Sequence, residues 1–336
     1  MIDPKDAAMR ITRAAIDCKD FDIIEPARIG EGEWKNELLF FIKPEVFMLG
    51  EENAAKTVQM VLDTLSKFGA VVDGISAVGG KALDRHRIMS SHYGFINVLS
   101  TSASRTVDTE GKKKIEEAFS LSPGGYEILG GHEYLDHYPK EDSDMLDTAW
   151  FAEKSTKIRS GFYVRLLDKD GKKVVLVNGF HPKQLAYFTD PSHKIVLMLI
   201  HSNTDWKTLK NTMVGATFPE KADQQSIRGI LYKDAKEYGF EEVTIANNCV
   251  HLSAGPFEAV AEISNFFGKL AGARLEDQKP LLIRKMISGG MTYAEAAECL
   301  GNPQVMRDGK QMDLFSATED MDSEPAIGIY KSSLRK

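Results

Sequence analysis

The chain has 336 residues, 43% of them hydrophobic and 27% charged, with a formal net charge of −7. That balance is ordinary for a globular protein, leaves room for one large domain or two, and argues against nucleic-acid binding by the surface as a whole. The longest plain apolar run, Ile195–Ile200, is far below the roughly 20 residues of a bilayer span, so no membrane segment is expected.

Residues 2–19 read as a short helix with Ala8, Ile11, Ala15 and Ile16 on one side. Leu38–Ile42 (LLFFI) is an apolar run of strand length, closed by Lys43-Pro44. The proline ends ladder pairing and leaves the lysine at the strand's tip. Residues 53–67 form a helix with Val58, Val61, Leu62 and Leu65 inward and Gly69 as its C-cap. A strand at Ala70–Val78 and a helix at Leu83–Tyr93 follow. Residues 100–160 are polar, glycine-bearing and charge-alternating, with a helix at Lys113–Phe119 and no periodicity to organise a large core. Gly161–Asn178 is a hairpin around Asp168-Lys169-Asp170-Gly171. A short helix at Pro182–Phe188, a strand at Lys194–Ile200 and a helix at Asp205–Met213 come next.

Val243–Cys249 reads as a strand leading into His251. Behind it, Phe257, Val260, Ala261 and Phe267 give a helix its core face; Ser253 or Gly255 serves as N-cap, Pro256 sits at the first position, and Glu258 stands three residues after Gly255. One or two helices lie within Lys279–Cys299, and the polar, acidic tail from Asn302 is expected to be extended or disordered. The alternation of strands and helices argues an α+β sandwich with helices over a small sheet.

Four features are suited to phosphate: Lys43 at a strand end, the small turn Gly215-Ala216-Thr217, Arg228 within Ser226–Gly229, and Asn248 three residues before His251. Cations, a hydroxyl and an amide around an imidazole are what a phosphoryl acceptor needs, since such transfer rests on positioning and charge neutralisation. Neutral histidine is nucleophilic near pH 7, and a carboxylate such as Glu262 on its other nitrogen fixes the tautomer. Scattered Lys, Thr and Arg are ordinarily solvated surface, so the weight lies in their joint occurrence. Other features read as structure. His132-Glu133…His137 has its histidines five apart where one helical face needs four. Asp168–Gly171 is a hairpin turn without a calcium loop's bidentate glutamate. The segment MTYAEAAECLG lacks a basic recognition helix after it and reads as a packing or assembly helix. Cys18, Cys249 and Cys299 are odd in number and far apart, which speaks for a reducing compartment rather than disulfides or zinc. With no apolar signal region in MIDPKDAAMR, the expected location is the cytoplasm.

The blocks LLFFIKPE (38–45), AVVDGISAVGGKAL with SSHYG, VGATFPEKADQQSIRG (214–229) and NNCVHLSAG…EAVAEISNFF occur in the order found in one family. Through about 150 residues in separated blocks, the chain resembles the nucleoside diphosphate kinases. The resemblance implies a ferredoxin-like α/β sandwich with an antiparallel sheet, formed by 37–99 and 178–270. Residues 1–36 would be an N-terminal extension, 100–177 an inserted subdomain carrying the hairpin, and 271–336 a C-terminal helical extension with a polar tail. His251 would be the phosphorylated nucleophile, with Glu262 and Ser253 holding its ring. Lys43, Tyr93, Thr217, Arg228 and Asn248 would contact the nucleotide or the transferring group, and Phe180 would stack on the base. ATP and other nucleoside tri- and diphosphates would be the partners, with Mg²⁺ carried on the nucleotide, no metal held by the protein, and a homo-oligomeric assembly. Asn211 stands where the family has a second phosphate-binding arginine, Lys210 beside it being a partial substitute, and Leu252 and Ala254 replace a glycine and an aspartate. These departures support an alternative, a catalytically weakened nucleotide-binding module that serves regulation or protein–protein interaction.

Overall fold

The computed structural model describes residues 4–272, 276–277 and 279–334. The chain divides into two compact units, one made of the residues up to His86 with those from Pro191 on, the other of Arg87–Asp190.

The first unit is built on LLFFI. All seven residues of the strand Asn36–Ile42 are buried, as an unbroken apolar run requires when both faces are covered. Leu38, Phe40 and Ile42 enter the main core with Ile11 and Ala15 of the helix Pro4–Asp17 and with Val58, Val61 and Leu65 of the helix Glu51–Lys67. Each such side chain contributes about 1.5–3 kcal/mol on burial. Phe41 points to the opposite face and packs on His251 and Phe266.

Five strands run in the spatial order Phe21–Glu25, Ala70–Gly79, Lys194–Ser202, Asn36–Ile42, Val250–Leu252, every neighbouring pair antiparallel. Without the first edge strand, the other four have the ferredoxin-like arrangement, in which the first and third strands in sequence are the central pair. The fold is α+β, and this sheet is antiparallel throughout. Gly69, at φ 68°, closes the helix Glu51–Lys67 as its sequence position foretells. A bulge at Asp73 brings Gly74 against Ala27, whose Cα would lie 2.5 Å from any Cβ at that position.

Three expectations are corrected here. Val243–Cys249 is not a strand: only Val250–Leu252 pairs, because Thr244, Asn247 and the Asn248 amide bond the local backbone and turn the chain instead. The helix expected at Leu83–Tyr93 is two, Gly80–Arg85 and Ile88–His92, with Arg87 left-handed at φ 51° between them. Over its described residues the tail from Asn302 is folded, not a loose extended or disordered segment. It forms a hairpin of Gln304–Arg307 with Lys310–Asp313, then the helices Leu314–Thr318 and Ser323–Leu334. Leu314, Ala317, Ile327 and Tyr330 bury against Phe257 and Val260 of the helix behind His251. These few apolar residues are thinly spread among polar ones, so composition conceals the core they make.

The second unit, Arg87–Asp190, is wider on both sides than the 100–177 stretch. Its four strands run in the order Glu127–Gly130, Lys172–Val177, Phe162–Lys169, Thr156–Arg159. Asp170 and Gly171, at φ 52° and 75°, form the two-residue hairpin turn, both in the region that a type I′ turn demands. Val175 and Val177 face a core with Leu99, Ile115 and Phe162, while Val174 and Leu176 face a second with Leu146 and Trp150. The helices between 94 and 151 each bury only a few residues, which is why no strong periodicity marks them. No described helix is long and apolar enough to cross a membrane.

Candidate functional site

His251 stands in the middle of the short edge strand Val250–Leu252, paired opposite Phe41. Its ring lies almost flat on that phenyl ring, with centroids 4.6 Å apart and planes 19° apart. Nε2 is 2.8 Å from Glu262 Oε1. An ionised carboxylate only accepts, so Nε2 carries the proton and the neutral ring has its lone pair on Nδ1. Ser253 donates from Oγ to the other Glu262 oxygen and accepts from the Leu39 amide at 3.1 Å. Trp206 Nε1 donates to the Ser253 carbonyl at 3.0 Å, which fixes the turn from behind. Glu262 is buried and His251 half-buried, a carboxylate rigidly held beneath a partly accessible ring. Gly255 is the N-cap of the helix Pro256–Ile263, with Pro256 at its start, as its sequence indicates.

The cationic side is built on backbone. Lys43 Nζ donates to Asn248 Oδ1 at 2.6 Å, and the Asn248 amide donates to the Ile245 and Thr217 carbonyls at 3.1 and 3.4 Å. Arg228 follows Ser226, whose hydroxyl caps the helix Ile227–Lys233. Its guanidinium donates to the Gly215 and Val250 carbonyls, each at 2.9 Å, and joins the small turn to the histidine strand. Nε of the same group is buried without a hydrogen-bond partner. Burial lowers the Lys43 pKa, Glu45 opposing and Arg228 adding to the effect, and pushes Arg228 down to about 10. Arg228 therefore remains a cation at neutral pH. Gly215, at φ 94°, could carry no Cβ, which would lie 2.3 Å from Ser226 Oγ. Thr217 is exposed just beyond it. Lys43, Arg228, Asn248 and the Thr217 backbone are thus brought together around the segment that carries His251.

Tyr93 and Phe180 belong to the second unit. Tyr93 stands edge-on to His181 at 5.2 Å, and Phe180 packs with Trp150 at 5.7 Å and Tyr163 at 6.3 Å. In that unit His132 bonds Ser100, and Glu133 caps its own helix. Both roles are structural.

Sequence reasoning passed over Glu45 and the backbone conformation of Cys249. Cys249 has φ 69° and is fully buried, and the Val250 amide bonds back to the Asn248 carbonyl at 2.8 Å. This is a γ-turn of the rare, strained hand, which for a non-glycine residue costs about 1–3 kcal/mol. Burial keeps the Cys249 thiol protonated, pushed well above its ordinary range, so it is no nucleophile. Glu45, buried just past Lys43-Pro44, accepts from the Cys249 amide at 2.9 Å; its position one residue after the proline was the only signal available. Lys210 makes ion pairs with Glu319 and Asp320 at 2.5 and 2.8 Å. Glu258 is pushed up to about 8 by burial, then by the charges of Glu262 and Glu319.

No family model matches the chain, and no curated protein does. Among solved structures, it is similar to nucleoside diphosphate kinase from Encephalitozoon cuniculi, at 11% identity and a TM-score of 0.34, over 69% of this chain and 89% of that one. It is also similar to an NDP kinase from Pyrobaculum aerophilum, at 18% identity and a TM-score of 0.36, over 72% of this chain and 98% of that one. At these TM-scores neither likeness bears on the chemistry, which rests on the chain's own geometry.

Proposed function

We propose that the chain is a phosphotransferase that moves the terminal phosphate of a nucleoside triphosphate to a nucleoside diphosphate through phospho-His251. The observation that carries this reading is the chain from His251 Nε2 to Glu262 and on to Ser253, which holds the ring in the tautomer with a nucleophilic Nδ1. In the first half-reaction Nδ1 attacks the terminal phosphorus, a P–N bond forms, the bridging P–O bond breaks, and the diphosphate leaves. Glu262 keeps the Nε2 proton and balances the ring's positive charge. The second half-reaction is the reverse with another diphosphate as acceptor, a ping-pong cycle. Lys43 and Arg228 supply positive charge for the phosphates, and Asn248, bonded to Lys43, orients it. On this reading Thr217 contacts the nucleotide, and the protein acts as a cytoplasmic homo-oligomer. Among the described residues of the first unit, the cluster offers cations to an anion, while both Glu262 oxygens are engaged by His251 and Ser253. That donor set fits Mg²⁺ held by the nucleotide's own phosphates, where the ion would screen their charge.

A second reading, a nucleotide-binding regulatory module with weakened turnover, is favoured by the capture of Lys210 in the acidic loop beside Asn211. Incubation with γ-labelled ATP separates the two. The enzyme reading expects an acid-labile, alkali-stable label that is absent in His251→Ala and discharged by GDP. Absence of label overturns the reading, and label that diphosphates do not remove favours the module.

A further inference from the structure

We infer that Glu45 is a positioning residue for phosphoryl transfer at His251, because its carboxylate holds the strained turn that sets Asn248 and His251 against Lys43. The inference rests on the phosphohistidine reading above. Cys249 lies between those two residues, and its left-handed backbone is one that a side chain does not adopt unaided. The neighbouring segment grips it at both ends. The Lys43 amide donates to the Cys249 carbonyl at 2.8 Å, and Glu45 Oε1 accepts from the Cys249 amide at 2.9 Å. The Lys43 side chain meanwhile bonds Asn248 at 2.6 Å. Three consecutive residues, Lys43-Pro44-Glu45, therefore fix the turn's backbone and one of its site side chains, and Pro44 limits the backbone freedom between the two grips.

Glu45 is 7% exposed, and a carboxylate that far from water needs a reason to be there. Two are visible: the Cys249 amide as a backbone donor, and the positive charges of Lys43 and Arg228, both of which feel Glu45 electrostatically. The carboxylate thus also offsets the charge of the two cations that would receive phosphate. An apolar residue of similar size would leave the Cys249 amide buried and unbonded, and the turn free to relax toward ordinary extended backbone. His251 and Asn248 would then shift relative to Lys43.

Three variants test this: Glu45→Ala, Glu45→Gln and Glu45→Ala with Cys249→Gly. Glu45→Ala is expected to slow labelling of His251 at saturating ATP by about 10²-fold, the scale of an ångström's misplacement, with a far smaller change in nucleotide KM. Glu45→Gln keeps an acceptor oxygen and should recover about tenfold of that loss. Glycine adopts positive φ without strain, so Cys249→Gly should recover about tenfold in the Glu45→Ala background. Exchange of the Cys249 amide with solvent, read by NMR or mass spectrometry, should quicken in Glu45→Ala. Should that variant fail to fold, Glu45→Gln and the double variant carry the comparison. A folded Glu45→Ala that labels at the wild-type rate, or a double variant no faster than Glu45→Ala, overturns the inference. If the wild type takes no label, the phosphohistidine reading fails; the grip on the turn is then judged by amide exchange alone, and an unchanged rate in Glu45→Ala refutes it too.

Discussion

Glu258 lies one helical turn before Glu262 on the helix behind the histidine, and replacing it by glutamine isolates the effect of forcing two carboxylates to share that face. Burial is the main cause of its rise from an ordinary value near 4.5 to about 8, with Glu262 and Glu319 adding their repulsion. At about 1.4 kcal/mol per tenfold change, ionising such a group against that rise costs up to about 5 kcal/mol. Glu258 keeps partial contact with solvent, which screens part of this and leaves about 2–3 kcal/mol. A carboxyl whose folded pKa lies above its unfolded one binds its proton more tightly in the folded state. Stability from this group is therefore greatest below the ordinary carboxyl range, falls as pH rises through it, and levels off above about 8. Glutamine has the same shape and does not titrate. Glu258→Gln should match the wild type near pH 4 and exceed it by about 2–3 kcal/mol at pH 9, or about 4–12 °C in Tm at about 2–4 °C per kcal/mol. Thermal unfolding by circular dichroism from pH 4 to 9 measures this. A Tm difference that stays constant across the range, or a variant less stable at pH 9, would refute the reasoning.

Two further outcomes follow from other buried groups. His201 is fully buried, with Nδ1 2.7 Å from Asp73 and Nε2 2.9 Å from Glu37, and these two carboxylates raise its pKa against the opposing pull of burial. The stability it supplies is present in full below the ordinary imidazole value near 6.5 and is lost as pH rises through the raised folded value. His201→Ala should thus cost about 3–5 kcal/mol near pH 6 and less at pH 9, read by urea unfolding, and an equal loss at both pH values would contradict it. Removing residues 303–336 should uncover Phe257 and Val260 on the helix that carries Glu262, giving a less soluble protein that binds a hydrophobic dye. A truncated chain with the full-length Tm would show that the terminal hairpin and helices do not support that helix.

Much of the first unit is legible because its signals are dense. LLFFI admits only a strand covered on both faces, and Gly255-Pro256 starts a helix for local reasons that packing need not alter. The histidine's partners were legible for a different reason: Ser253 and Glu262 are close in sequence, so one strand, one turn and one helix bring them together. Glu45 and Cys249 were not, since their bond spans 204 residues and depends on a left-handed backbone that no side chain advertises. The terminal module was hidden by dilution, its core residues being few and set among acidic ones. Its loop at Glu319–Asp322 looks like solvated charge, yet it pairs Lys210 and bonds Asn36 and the Trp206 amide.

The sheet order has a consequence for how the protein is made. The strands Asn36–Ile42 and Ala70–Gly79 are not neighbours; the strand Lys194–Ser202 lies between them and pairs with both. On a ribosome that adds about 5–20 residues per second, the stretch between Gly79 and Lys194 takes roughly 6–23 s to emerge. During that interval two apolar strands wait with open edges, the condition under which nascent chains stick to one another. The second unit, with its own cores, is synthesised in that interval. The histidine strand comes later still, so the candidate site is assembled only after most of the chain has been synthesised. Yield of this protein should therefore respond to translation speed and chaperone supply more than its finished stability would indicate.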